Sequence, residues 1–160
     1  MDFHTLCIGC RTYRRFKQKQ IPEKVLDELL ENARIANSAM NRQPLRYVLV
    51  KNPEVVRKIQ PCFHFAAALP KELGQPKEGE QPTAFIILCT EGPETPWTGI
   101  DIGIAVRTMN LNAYIYGIGS CIIGNVEFKK VKEILSIPET WIPRLALALG
   151  YPSHKSTIVE

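Results

Sequence analysis

Two kinds of chemically active side chain stand together near the N-terminus. A CxxC pair, Cys7 and Cys10, runs directly into five cations, which are Arg11, Arg14, Arg15, Lys17 and Lys19. No acidic residue occurs between Phe3 and Pro22. Such a stretch could bind a metal, contact a nucleic acid or hold a small anion such as a phosphate. The uneven charge predicts an anionic ligand at this end of the chain.

The CxxC pair lacks the partners that a metal site requires. A structural zinc site needs four sulfur or nitrogen ligands. The remaining cysteines stand singly in apolar stretches, and the three histidines show no paired spacing. We therefore interpret Cys7 and Cys10 as packed thiols rather than as a metal or redox site. In a helical turn, Leu6 and Cys10 would lie on one side.

A phosphate cradle accounts better for the basic residues. Arg11, Thr12 and Arg14 would bring two guanidinium groups and a hydroxyl to one small anion. A solvated basic surface is the alternative that the spacing leaves open. A nucleic-acid arm would interleave more cations with aromatic residues, and the formal net charge here is only +4.

Other catalytic motifs do not stand out. The segment GIGSCI lacks the third glycine of a dinucleotide fingerprint, and no lysine-bearing phosphate loop is present. The scattered histidines suggest no serine, histidine and acid arrangement, which argues against a nucleophilic hydrolase.

The composition predicts one globular domain across residues 1–160. With 45% hydrophobic and 22% charged residues, the chain can bury a core of its own. It has no apolar run long enough to cross a bilayer, and its first residues lack the basic start and apolar centre typical of a secretory signal. The odd count of five cysteines favours reduced thiols. We expect a soluble, cytoplasmic protein without a membrane or nucleic-acid partner.

Hydrophobic periodicity indicates the elements that must position these residues. It predicts helices over 21–36, 53–60, 100–116 and 127–138, and strands over 45–51, 83–90, 120–124 and 144–152. The helix at 100–116 is apolar nearly all round, with only Asp101 and Arg107 charged, which predicts a central core helix. Residues 63–82 are typical of a long loop. The mixed order of helices and strands favours an α+β layer fold.

Four segments of the chain match the motifs of a known protein family and occur in the same order. They are CRTYRRF, ENARIANSAMNRQPLRYVLV, GIDIGIAVRTMNLNAYIYGIGSCIIGNV and LALALGYP. Together they resemble the nitroreductase family of FMN enzymes over most of the chain, least in the loop 62–82. The segment PKEGEQPTAF is similar to a short branch of that family. The resemblance implies a sandwich of a mixed, mainly antiparallel sheet with helices on both faces. It also implies a homodimer with two FMN molecules at its interface.

The resemblance further implies which residues hold the FMN. Arg11 and Thr12 would bind the phosphate and the ribityl chain. Arg14 would reach the N1 and O2 edge of the ring, where negative charge collects on reduction. Cys10 occupies a position where the family often has another arginine. Lys155 is the one cation near the place of the family's C-terminal Lys or Arg pair.

Two more segments would complete the implied site. A loop from the partner subunit would line the other side of the ring with Ser38, Ala39, Met40, Asn41 and Gln43. The turn at Ile122, Ile123 and Gly124 would present backbone N–H groups to the flavin N5, and a glycine there lets the main chain approach closely.

The activity implied by the resemblance is NAD(P)H-dependent oxidoreduction. The nicotinamide would pass a hydride to FMN and leave, and a nitroaromatic, quinone or similar electron-poor acceptor would then take the electrons in a ping-pong mechanism. Because the cofactor carries the chemistry, no catalytic acid or base side chain and no metal are expected. The alternative is a flavin- or anion-binding protein without efficient turnover. The sequence leaves open the acceptor and the choice between NADH and NADPH.

Overall fold

The computed structural model describes residues 2–66 and 68–156, which include six α-helices, two short 3-10 helices and five strands. The helices are α1 (Phe3–Gly9), α2 (Glu23–Arg34), α3 (Pro53–Ile59), α4 (Lys71–Gly74), α5 (Thr98–Ile115) and α6 (Phe128–Leu135). The strands are β1 (Phe16–Lys17), β2 (Leu45–Val50), β3 (Ala84–Glu91), β4 (Gly119–Ile123) and β5 (Trp141–Pro152).

The four helices and four strands predicted from periodicity are confirmed. Helix α1 also agrees with the turn expected around Leu6 and Cys10. The predicted loop at 63–82 carries one short helix, α4. Strand β1 was not predicted, because two residues are too few for an alternating pattern to show in the sequence.

The sheet is organised around β5. This strand pairs with β3 along one side, and with β4 and then β1 along the other, while β2 continues the sheet beyond β3. All of these pairings are antiparallel, and a single parallel bridge joins Thr12 to Ser120. The predicted mixed, mainly antiparallel sheet is therefore confirmed.

Both faces of the sheet are covered by helices, as the resemblance implied. Residues of a strand point alternately to opposite faces. In β3, Ala84, Ile86 and Leu88 join the core that contains α2 and α5. The intervening residues Phe85, Ile87 and Cys89 join a second core that contains α3 and α6. A strand buried on both sides explains why its sequence is continuously apolar.

Helix α5 is central but is not buried all round. Ala105, Met109 and Ala113 are packed into the core. Ile100, Ile104 and Ile115, in contrast, are 52%, 38% and 59% exposed. The predicted core helix is therefore buried on one side only, because no element among the described residues covers these isoleucines.

The five cysteines are free thiols. Four are buried and Cys7 is partly exposed, which agrees with the packed-thiol interpretation. Among residues 2–66 and 68–156, no three His, Cys, Asp or Glu side chains are grouped as they would be to hold a metal ion. Within the same ranges, no helix has the length and apolar character needed to cross a membrane.

The N-terminal segment lies against the sheet at two glycines. A Cβ atom at Gly150 would come within 2.8 Å of the Phe16 side chain, which is fully buried. A Cβ atom at Gly119 would come within 2.8 Å of Tyr13 and Pro152. These close contacts place residues 10–17 beside β4 and β5.

Adding one methyl group at Gly150 should loosen this contact. We expect Gly150→Ala to lower the free energy of unfolding by about 1–3 kcal/mol, because the methyl group overpacks the site around Phe16. The measurement is urea unfolding followed by tryptophan fluorescence. Gly103→Ala, where a Cβ atom would meet nothing within 4 Å, is the matched control and should not be destabilised. Equal destabilisation of the two variants would contradict this account.

Candidate functional site

A cavity of about 510 Å³ lies between the N-terminal segment, one face of α5 and β4. We call it the α5 cavity. Its volume is within the range of small-molecule and cofactor sites. It is lined by Cys10, Arg11, Thr12, Gly99, Ile102, Gly103, Val106, Arg107, Asn110, Ser120, Ile122 and Leu145.

Hydrogen bonds fix the segment that carries Arg11 and Thr12. The Cys10 Sγ donates to the backbone oxygen of Asn110 at 3.5 Å, which ties the end of α1 to α5. The backbone N–H of Tyr13 donates to the oxygen of Ser120 at 2.9 Å. Arg11 and Thr12 therefore stand between two anchored residues, one on α5 and one on β4.

Two glycines of α5 leave the floor of the cavity open. Gly99, Gly103 and Arg107 are spaced by four residues and thus share one face of the helix. A Cβ atom at Gly99 or Gly103 would meet no other atom within 4 Å. The distance along the helix axis from Gly99 to Arg107 is about 12 Å. The cavity is therefore long, with an uncharged end at the glycines and a cationic end at Arg107.

The arginines at this cavity have no acidic partner within the described part of the chain. Arg11 and Arg107 line it. Arg14 does not line it, and its Nε is buried without a hydrogen-bond partner among the described residues. Some arginines elsewhere are neutralised: Arg46 pairs with Glu91 at 2.7 Å, and Arg144 pairs with Glu94 at 2.9 Å. Positive charge is thus left uncompensated where the sequence predicted an anion site.

The cavity also contains an acceptor without a donor. Asn110 is 9% exposed and lines the cavity, and its Oδ1 is buried without a hydrogen-bond partner among the described residues. Burying an unpaired polar atom costs free energy, so such an atom points to a ligand group that completes the hydrogen bond.

The two thiols near the cavity are held protonated by burial. Desolvation raises the pKa of Cys10, and the opposing positive charges of Arg107 and Arg11 do not overcome it. Burial likewise raises the pKa of Cys121 to about 11, against a smaller lowering effect of the Arg14 charge. At neutral pH neither sulfur supplies a negative charge that could neutralise the arginines.

The loop at 38–43 lies on another side of α5. Ser38 and Gln43 line a separate cavity of about 310 Å³, and Ala39 lines a third cavity. Met40 and Asn41 are exposed and line neither. A single chain therefore does not bring these predicted residues to Arg11, and their contribution from a partner subunit stays a prediction.

This loop is held in an unusual backbone conformation. Met40, Asn41 and Gln43 have φ angles of 53°, 53° and 48°, in the left-handed region that non-glycine residues seldom adopt. The Ser38 hydroxyl accepts from the Gln43 N–H at 3.0 Å. The buried Asp101 carboxylate accepts from the Ala39 N–H at 2.8 Å. Such strain persists where surrounding contacts impose it, and it is often found at functional sites.

Of the remaining predicted site residues, only Ile122 lines the α5 cavity. Ile122 lines the α5 cavity and is 49% exposed, whereas the adjacent Ile123 is packed in the core on the opposite side of β4. A Cβ atom at Gly124 would meet no other atom within 4 Å. Lys155 is exposed beyond the end of β5 and does not line the α5 cavity.

Arg107, Asn110 and the two glycines of α5 were not predicted as site residues. The sequence contained one signal for them, since Arg107 is one of only two charged residues in an otherwise apolar helix. The other charged residue, Asp101, supports the 38–43 loop.

Comparisons with known proteins agree with this architecture. The model of the nitroreductase family matches residues 9–151. A protein of Archaeoglobus fulgidus, provisionally named an NADH dehydrogenase/NAD(P)H nitroreductase, is 28% identical over 159 residues, covering 94% of this chain and 85% of that protein. An FMN reductase (NADPH) of Bacillus subtilis is 26% identical, covering 91% of this chain and 64% of that protein.

The fold is shared with solved structures as well. The nitroreductase family protein of Streptococcus pneumoniae superimposes with a TM-score of 0.82 at 20% identity, covering 99% of this chain and 94% of that one. The family match extends over most of the residues that build the sheet, α5 and the α5 cavity. This chain belongs to the nitroreductase family.

Proposed function

We propose that the α5 cavity holds the phosphate end of FMN, and that the protein uses NAD(P)H to reduce nitroaromatic, quinone or similar electron-poor acceptors by a ping-pong mechanism. The observation that carries the proposal is the set of uncompensated arginines at the cavity. Family membership and similarity to a Bacillus subtilis FMN reductase support FMN as the cofactor and NAD(P)H-dependent oxidoreduction as the activity.

The residues of the cavity fit the chemical parts of FMN. A phosphate is doubly charged near neutral pH and is matched by guanidinium and hydroxyl donors, which Arg11 and Thr12 supply. Hydroxyl groups of the ribityl chain could donate hydrogen bonds to the Asn110 Oδ1, which has no partner among the described residues. The apolar ring system is matched by the aliphatic side chains Ile102 and Ile122.

The protein's contribution to the chemistry is electrostatic and steric. When bound, FMN supplies the capacity to accept a hydride and to pass electrons on. We assign the Arg14 guanidinium to the ring edge that gains negative charge, since a fixed cation there favours the reduced state. The backbone N–H groups at the end of β4 and at Gly124 are assigned to N5, and a Cβ atom at Gly124 would meet nothing within 4 Å, which allows that approach.

A second copy of the chain is part of the proposal. Ile100, Ile104, Leu111 and Ile115 are spaced so that they share one face of α5, and the three isoleucines are exposed. Exposed apolar patches of this kind mark interaction sites. Because this stripe runs beside the face that carries Gly99 and Gly103, a partner covering it would lie against the α5 cavity. The 38–43 loop of that partner could then reach the ring.

A flavin-binding protein without efficient turnover is the alternative. Two observations favour it: Cys10 offers no positive charge to a phosphate, and Lys155 lies outside the cavity. Steady-state oxidation of NADH or NADPH with a nitroaromatic or quinone acceptor distinguishes the two functions. A cytoplasmic location remains part of the proposal and is supported by the five free cysteines.

Removing Arg14 should weaken FMN binding or slow its reduction. We expect the purified wild type to show a flavin absorption spectrum after addition of FMN. We expect Arg14→Ala to bind FMN roughly 10- to 100-fold more weakly, which is the effect of losing a charge-assisted hydrogen bond. Alternatively, we expect NAD(P)H to reduce the FMN bound to this variant more slowly. Titration of FMN fluorescence and stopped-flow absorbance measure the two effects.

The matched control for Arg14 is a cation at a distant site. Arg57, on α3, lines a different cavity and has no acidic partner among the described residues. Arg57→Ala should leave FMN affinity unchanged, as should His64→Ala. Unchanged affinity and unchanged reduction in Arg14→Ala would contradict the assignment of this residue.

A charge in the apolar stripe of α5 should separate the subunits. Ile104→Asp is expected to convert a dimer into a monomer by size-exclusion chromatography with light scattering, because a carboxylate in an apolar interface is costly to desolvate. Ile134→Asp is the matched control: Ile134 is 42% exposed on α6, on the opposite face of the sheet. A monomeric wild type, or a dimer that survives Ile104→Asp, would exclude this interface.

A further inference from the structure

We propose that Arg107 is a phosphate-binding residue of this protein and provides the positive charge that the side chain at position 10 lacks. The inference rests on the proposed binding of FMN in the α5 cavity. It adds a residue from a different element, since Arg107 lies in the middle of α5 while the other phosphate ligands follow α1.

The Arg107 guanidinium lies against the side chain of Cys10. The Arg107 Nη1 lies 3.6 Å from the Cys10 Sγ. The same sulfur donates to the backbone of Asn110, one turn further along α5. Arg107 and Arg11 line the same cavity. The guanidinium of Arg107 therefore occupies the region that a longer, basic side chain at position 10 would otherwise enter.

The charge of Arg107 is not used within the described part of the chain. Its hydrogen-bond partner there is the Cys10 sulfur, which burial keeps protonated and neutral. The acid on the same helix, Asp101, lies almost two turns away and is engaged by the backbone of Ala39. Arg107 thus has no carboxylate to pair with, in contrast to Arg46 and Arg144.

Two cations at one cavity favour a divalent anion. Arg11 and Arg107 line the same cavity, and a phosphate bound there would accept hydrogen bonds from both. Arg107 is exposed and lines the cavity, so a bound phosphate could reach its guanidinium. The small size of Cys10 is necessary for the arrangement, because the thiol leaves room for the α5 arginine to reach the cavity.

Comparison of FMN with riboflavin isolates the phosphate contribution, because riboflavin lacks only the phosphate. Flavin fluorescence quenching measures both affinities. We expect Arg107→Gln to weaken FMN binding roughly 10- to 100-fold and to leave riboflavin binding unchanged. Arg107→Lys should lose less affinity for FMN than Arg107→Gln, because lysine keeps the positive charge. Arg57→Gln, at a distant cavity, should change neither affinity.

A charge swap tests whether Arg107 replaces the cation missing at position 10. The double variant Cys10→Arg/Arg107→Gln should recover part of the preference for FMN over riboflavin. A double variant no better than Arg107→Gln alone would contradict the replacement.

The outcomes separate this inference from the proposed function. A wild type that binds neither flavin would overturn the proposed function. A wild type that binds FMN, together with an Arg107→Gln variant that keeps the full preference for FMN or weakens both flavins equally, would overturn only the role of Arg107.

Discussion

The docking of the basic N-terminal segment onto β4 and β5 is the contact on which the candidate site depends. Phe16 packs over Gly150 and Tyr13 packs over Gly119, at distances that leave no room for a Cβ atom on either glycine. These contacts fix both ends of the run from Tyr13 to Phe16. Arg11 and Thr12, just before that run, are thereby held where they line the α5 cavity.

Helix α5 connects the separate parts of the site because its faces differ. One face packs in the core through Met109 and Ala113. Another borders the α5 cavity through Gly103 and Arg107. The exposed isoleucines form a third face, and Asp101 anchors the strained 38–43 loop. Because one rigid helix carries all of these features, a second copy of the chain that covers its exposed face would also enclose the cavity.

The fold could be predicted from sequence to a large extent, because burial leaves a strong local pattern. The continuous apolar run of β3 and the amphipathic spacing of α2 each record which faces are covered. A two-residue strand such as β1 leaves no such pattern. The exposure of Ile104 was not predictable either, since an exposed isoleucine in an apolar helix looks in sequence like one in a core.

From the sequence, candidate site residues could be proposed where they are adjacent in the chain, but not where only folding brings them together. Arg11, Thr12 and Arg14 form a recognisable run. Arg107 meets Cys10 only because α1 is tied to α5, and this contact between residues far apart in sequence has no local signature. The most direct test of the central claim is a crystal structure of the protein with FMN bound. The account predicts the phosphate within hydrogen-bond distance of Arg11 and Thr12. A phosphate outside the α5 cavity, for example beside the 38–43 loop of the same chain, would contradict it.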